Sequence, residues 1–256
     1  MIQTITSMQN PKAAFWRGLK TRQARQAAGL YLAEGAKMVG EALTLGLVHT
    51  LLISLDSVSE YAALAEDAGC EAYALSPHIL SAVCDTKTPQ GIAAAVKLPA
   101  LPELEDLGPL IVALDGVQDP GNVGTILRTA DAAGFSGALL SEACADLYAP
   151  KTLRATMGSI FRMKALVTPD LPASLARLKE GGYSLLSGEL GGDPFYERPR
   201  RSGPLCLVIG SEGSGVSKAV SAICTHRLAL PMRGGAESLN AAVAAGIMMY
   251  DLTNRD

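Results

Sequence analysis

The sequence predicts an α/β protein in two parts, with a parallel sheet in the second. Unbroken apolar runs, Leu110-Ile111-Val112-Ala113-Leu114 and the stretch 204–209, suit strands covered on both faces. Short apolar runs alternate with segments of helical period along all 256 residues. Glycine-bearing turns follow the buried runs directly, at the strand ends where ligands of such sheets bind.

In the first part, Asn10-Pro11 starts a helix that carries Phe15 and Leu19, and basic residues follow. Tyr31-Leu32-Ala33 forms a short strand ending at Glu34-Gly35. A helix over 36–45 stops at Gly46, a strand covers 49–53, and a helix over 57–68 closes at Gly69. Residues 72–74 are a strand, and Ser76-Pro77 begins another helix. After the turn-rich stretch 85–90, residues 92–96 close a small alternating unit. The first domain is therefore 1–97. Pro99 and Pro102, with Glu103, Glu105 and Asp106, make 98–108 a stiff linker, and the second domain is 109–256.

That domain opens with the run 110–114 and turns at 115–121. Asn122 is the expected N-cap of a helix carrying Val123, Ile126, Leu127, Ala130 and Ala133, ended by Gly134. Arg128 lies opposite the apolar stripe, one turn after Gly124; by position alone, a solvated arginine is the plainer reading. Ala138-Leu139-Leu140 is the next strand. Lys151 and Arg154 share one helical face. A strand at 164–167, a helix at 171–180 and a strand at 183–187 follow. Glycines, prolines and charges over 188–203 predict a long mobile loop.

Gly210-Ser211-Glu212-Gly213-Ser214-Gly215 comes straight after the strand 204–209. Its glycines admit close backbone approach to a ligand, but the lysine of a phosphate loop is absent. Glu212 reads equally as a solvated loop acid or a site residue. A last strand ends at Leu230-Pro231, and Ser238-Leu239-Asn240 introduces a helix over 241–252. That helix is apolar nearly all round, which predicts full burial, and its alanines and Gly246 allow tight packing.

Composition narrows the function. No apolar stretch is long enough to span a bilayer, and the N-terminus lacks the basic flank and apolar core of a signal peptide. Five cysteines without a CxxC pair predict reduced thiols in a cytoplasmic protein, without disulfides or a metal site. The net charge of −3 excludes a highly basic non-specific binder. Residues 1–40 nevertheless hold six basic side chains, Arg17, Arg22 and Arg25 among them, against Glu34 alone. Such a patch fits phosphate contact and a solvated helix face about equally. A nucleotide-binding oxidoreductase with Glu142 on the ribose is the main rival, but Gly116, Gly121 and Gly124 do not form G-x-G-x-x-G. A non-catalytic RNA-binding protein is the second rival.

Taken together, Asn122-Val123-Gly124 with Arg128, Gly210-Ser211-Glu212-Gly213, and Leu230-Pro231-Met232 through Ser238-Leu239-Asn240 resemble the three signature motifs of the SpoU-type (TrmH superfamily) RNA 2′-O-ribose methyltransferases. Ile5-Thr6-Ser7, Asn10-Pro11, Glu34-Gly35 and Thr88-Pro89-Gln90-Gly91 resemble that family's N-terminal substrate-binding domain, which is related in fold to ribosomal RNA-binding proteins. The resemblance implies a SPOUT-type parallel-sheet domain with a deep trefoil knot, an exception to the rule against knots. It implies S-adenosyl-L-methionine as cofactor, held by Gly188, Gly210, Leu230, Met232 and Leu239. It assigns catalytic positions to Arg128, Asn122, Glu212, Ser238 and Asn240, and a homodimer through the C-terminal domain. RNA is the partner, ribosomal RNA ahead of transfer RNA, with Lys151, Arg154, Arg17, Arg22 and Arg25 as its expected contacts.

Overall fold

The structure is a computed structural model that describes residues 2–200 and 202–254. The chain begins with β1 (Gln3–Ile5), α1 (Pro11–Gly18), α2 (Arg22–Ala28), β2 (Leu30–Glu34), α3 (Ala36–Thr44), β3 (Val48–Ser54), α4 (Val58–Asp67), β4 (Glu71–Leu75), α5 (Pro77–Val83) and β5 (Ile92–Lys97). It continues with β6 (Leu110–Asp115), α6 (Pro120–Ala132), β7 (Gly137–Ser141), α7 (Pro150–Thr156), β8 (Lys164–Thr168) and α8 (Leu171–Glu180). It ends with β9 (Ser184–Pro194), β10 (Leu205–Gly210), α9 (Lys218–Ile223), β11 (His226–Ala229) and α10 (Ala241–Asn254).

Two compact units result, Met1–Ala100 with Tyr148–Phe161, and Leu101–Leu147 with Arg162–Asp256. The first holds a five-stranded sheet in the order β1-β4-β3-β5-β2, with β5 antiparallel to both of its neighbours. Trp16, Leu19, Leu52, Tyr73 and Ile79 fill its core. Glu34, at the end of β2, accepts the amides of Asp85 at 2.7 Å and Thr86 at 3.1 Å, and the Thr86 hydroxyl at 2.6 Å. Gln90 Oε1 accepts the amide of Ala36 at 3.2 Å, so the two polar stretches of this unit meet.

The segment Tyr148–Phe161, expected in the second domain, packs with the first unit instead. Leu153 is buried, Tyr148 rests on Tyr31 with ring centres 5.0 Å apart, and Arg154 pairs with Asp85 at 2.8 Å. Arg25 also departs from expectation. It is buried, and its Nη1 donates to the carbonyls of Leu19 at 2.9 Å and Lys20 at 2.8 Å. Its charge holds the α1–α2 turn and is withdrawn from the surface.

The second unit holds six parallel strands in the order β11-β9-β10-β6-β7-β8. Ile111, Val112, Ala113 and Leu114 are fully buried, as an unbroken apolar run requires. The mobile loop expected over 188–203 is largely ordered: β9 runs on to Pro194, and Arg201 lies outside the described residues. Two partners explain this, because β10 pairs with β9 as far as Gly188 and β11 pairs with it again at Asp193 and Pro194. Gly192 fits because it has no side chain; a Cβ there would lie 2.6 Å from the Arg227 carbonyl oxygen.

Helix α10 packs closely, with Gly246 placed so that a Cβ would sit 3.4 Å from Thr129 of α6. Met248, Met249 and Leu252 are buried, but Val243, Ile247 and Tyr250 are exposed. Full burial of this helix was expected, yet within one chain a stripe of it stays open. The far end of α10 is held by Asp251, which accepts from Arg198 Nη1 at 2.7 Å, both side chains being nearly buried. The Arg198 guanidinium also lies 4.3 Å from the centre of the Phe195 ring. Arg198→Ala would remove a nearly buried ion pair and a stacked guanidinium together, and chemical denaturation should show a loss of about 1–3 kcal/mol.

Candidate active site

Because every strand of the second sheet points the same way, the loops after β6, β9, β10 and β11 open at one edge. The loop after β6 enters α6 through Asp119, whose Oδ1 accepts the Asn122 amide at 2.9 Å. Asp119 is thus the N-cap, a correction to the expectation of Asn122; Pro120 at the first helical position decides between them. The Asn122 side chain is left free for other work.

That work is to join three loops. Asn122 Nδ2 donates to Glu212 Oε1 at 2.6 Å, and Asn122 Oδ1 accepts from Asn240 Nδ2 at 3.0 Å. Asn240 Oδ1 accepts the amides of Ala242 at 2.9 Å and Val243 at 3.3 Å, capping α10. The loop after β10 is shaped by a paired turn, Ser211 N to Gly215 O at 3.1 Å and Gly215 N to Ser211 O at 2.9 Å. Gly215 has φ +67°, and Asp115 Oδ2 ties the turn to β6 by accepting the Ser217 amide at 2.8 Å. Gly210 is buried against Gly215 and Val216, where a Cβ would collide with their backbone.

A pocket of about 380 Å³ opens between these loops and α10, within the range of small-molecule sites. All five residues expected to hold a cofactor, Gly188, Gly210, Leu230, Met232 and Leu239, line it, together with Glu212 and Ser238. Glu189, Leu190 and Met248 also line it and were missed. Glu189 and Leu190 fell in the stretch read as a mobile loop, and Met248 in a helix read as core. Both Glu189 oxygens are occupied, by the Ser187 hydroxyl at 2.5 Å and the Ser221 hydroxyl at 3.1 Å.

Arg128 stands exposed on α6, where its spacing placed it, and has no hydrogen-bond or ion-pair partner among the described residues. Arg17, Arg22 and Lys151 are exposed in the first unit. Arg25 is buried and Arg154 is committed to Asp85 and Glu34, so neither offers a free charge to a phosphate, contrary to expectation. Burial raises the thiol pKa of all five cysteines, with Cys84 pushed up to about 12 and Cys224 to about 11. Among the described residues no group of His, Cys, Asp and Glu could hold a metal ion.

The fold and pocket define an α/β domain that holds a small molecule among glycine turns at the carboxyl edge of a parallel sheet. The SpoU rRNA Methylase family matches residues 109–250, and the MRM3-like substrate binding domain matches residues 10–94. The chain belongs to the SpoU rRNA methylase family. It is 38% identical over 253 residues to the 23S rRNA (guanosine(2553)-2′-O)-methyltransferase RlmP of Bacillus subtilis, covering 98% of this chain and 99% of that one. It is 33% identical over 264 residues to the 23S rRNA (uridine(2479)-2′-O)-methyltransferase of Streptomyces viridochromogenes, covering 96% and 90%. The AdoMet-bound rRNA methyltransferase of Sinorhizobium meliloti superposes with a TM-score of 0.87 at 30% identity, covering 99% of this chain and 98% of that one.

Gly210→Ala is the sharpest check on the pocket wall. Its methyl group has backbone for neighbours, so thermal and chemical unfolding should register a loss of about 1–3 kcal/mol.

Proposed function

We propose that this chain transfers a methyl group from S-adenosylmethionine to a ribose 2′-hydroxyl of 23S ribosomal RNA. The observation that carries the reading is the pocket, where Gly188 of β9 and the glycine turn after β10 meet Leu230, Met232 and Leu239 beside Glu212. Those three apolar side chains suit an adenine ring, and the polar backbone of the 211–215 turn beside them suits hydrogen bonds from a ribose and an amino-acid end. The residues present therefore fit the cofactor, which when bound supplies a sulfonium-activated methyl group. Further support comes from the two relatives named for 2′-O-methylation of 23S rRNA and from the AdoMet-bound structural neighbour.

In this reading Arg128 orients the hydroxyl and its neighbouring phosphate. A guanidinium stays a cation in proteins, so its part is placement. Alignment of nucleophile, methyl carbon and sulfur then supplies much of the rate. Asn240 holds the end of the last loop against the start of α10, and Ser238 lines the pocket beside it. The first unit, residues 1–100 with 148–161, presents the RNA, and Arg17, Arg22 and Lys151 are cations exposed on it.

The C-terminal domain forms a homodimer. Val243, Ile247 and Tyr250, spaced along one exposed face of α10, suit a second copy of the chain. The chain is threaded in the trefoil knot that its resemblance implies, a reading supported by the packing of α10 on α6 and β10 after the 230–240 loop. No helix among the described residues is long and apolar enough to cross a membrane, and the enzyme acts on its RNA in the cytoplasm.

Calorimetry should show S-adenosylmethionine binding, and labelled methyl should pass to unmodified 23S transcript at a ribose. The absence of binding heat, or label found on a base, would sink the proposal. Arg128→Ala should lower turnover at least about a hundredfold while S-adenosylmethionine affinity stays within about twofold. Ile247→Asp with Tyr250→Asp should convert dimer to monomer in sedimentation.

A further inference from the structure

Resting on the methyl-transfer reading above, we propose that Arg154 and Arg162 are positioning residues: they make Tyr148–Phe161 a strap that ties helix α6, and with it Arg128, to the unit that presents the RNA. The chain leaves the second unit after Leu147, packs α7 into the first, and returns to the second at Arg162. Both ends of this excursion are fastened to one helix. Ahead of it, the Ala145 amide donates to the Val117 carbonyl at 2.9 Å, the Cys144 thiol donates to the Leu114 carbonyl at 3.2 Å, and the Gly116 amide donates to Ser141 Oγ at 3.0 Å. Leu114, Gly116 and Val117 belong to the end of β6 and the turn that enters α6. Behind it, Arg162 donates to Asp131 Oδ2 from Nε at 3.0 Å and from Nη2 at 2.7 Å. Asp131 lies in the last turn of α6, three residues after Arg128, so the ion pair falls on the turn that carries that guanidinium.

The middle of the excursion is fastened to the first unit. Leu153 and Ile160 are buried, as are Thr152, Thr156 and Ser159. Arg154 pairs with Asp85 at 2.8 Å and stands 3.9 Å from Glu34, the carboxylate that gathers the Asp85 and Thr86 amides. Apolar burial has no direction, so Leu153 and Ile160 hold α7 on the sheet without fixing how far it slides. The ion pairs do fix that, one in the middle of the strap and one at its exit. Both pairs are partly open to solvent, and each adds little to stability. Their effect is on placement. Arg128 supplies alignment, and a displacement of about 1 Å can cost about a hundredfold in rate.

The first test needs neither cofactor nor RNA. A protease site in place of residues 99–102, where Leu101 is exposed, lets the linker be cut while the strap stays on the carboxyl-terminal fragment. The two fragments should co-elute on size exclusion, and Leu153→Asp should separate them. Fragments that part without that substitution, or stay together with it, overturn the strap. The second test reads placement. Arg154→Ala and Arg162→Ala should melt within about 4 °C of wild type. On unmodified 23S transcript each should lose about 10- to 100-fold in kcat, with the KM for S-adenosylmethionine within about twofold. A merely structural pair would lower the melting temperature and leave kcat of the folded enzyme alone. Arg162→Asp should be slow, and adding Asp131→Arg should restore turnover by remaking the pair in reverse. Wild-type kcat in both alanine variants, or a reversed pair as slow as Arg162→Asp, overturns the positioning role. A wild-type protein that binds no S-adenosylmethionine and labels no transcript breaks the underlying reading instead, and the fragment test still judges the strap.

Discussion

The Asn122 side chain bonds to Glu212 and Asn240, residues that lie 90 and 118 positions further along the chain. Each partner belongs to a different loop, and each loop would be a mobile glycine-bearing turn by itself. Parallel strands bring the three to one edge, but only to within reach. The hydrogen bonds then select one arrangement, and the pocket wall follows from it. Both bonds are open to solvent, so each contributes modestly to stability and their joint effect is to fix the geometry of the loops.

Much of the local architecture of the second unit also serves this edge. Asp115 and Asp119 both spend their carboxylates on backbone amides, which steadies the turns and releases Asn122. Gly210 lets two backbones touch where any side chain would force them apart. Arg198 and Asp251 tie the segment after β9 to the end of α10, so the helix that floors the pocket is fixed at both ends. Against that background Arg128 stands out: it is a long cation without a partner among the described residues.

The second sheet was legible because buried parallel strands write themselves as apolar runs, and 110–114 and 205–209 are such runs. The pocket residues were legible through three motifs taken together, whereas Gly210 or Glu212 alone said little. What escaped depends on distant partners. Residues 188–194 have the composition of a loop, and only β11, which arrives over thirty positions later, makes them strand. Arg25 looked like surface charge because a helical count does not see the Leu19 and Lys20 carbonyls waiting for it. Asp119 and Asn122 are equally good caps by type, and the proline between them settled the matter.

The return of α7 to the first unit has a consequence for how the protein is made. Leu32, Glu34 and Met38 meet Pro150, Leu153 and Arg154, and the latter three emerge from the ribosome only after β6, α6 and β7. At about 5–20 residues per second, the nascent amino-terminal sheet spends several seconds with one flank bare. Its maturation is therefore bound to synthesis of the catalytic half, and a gene fragment cut at the linker would encode a sheet with an unshielded side.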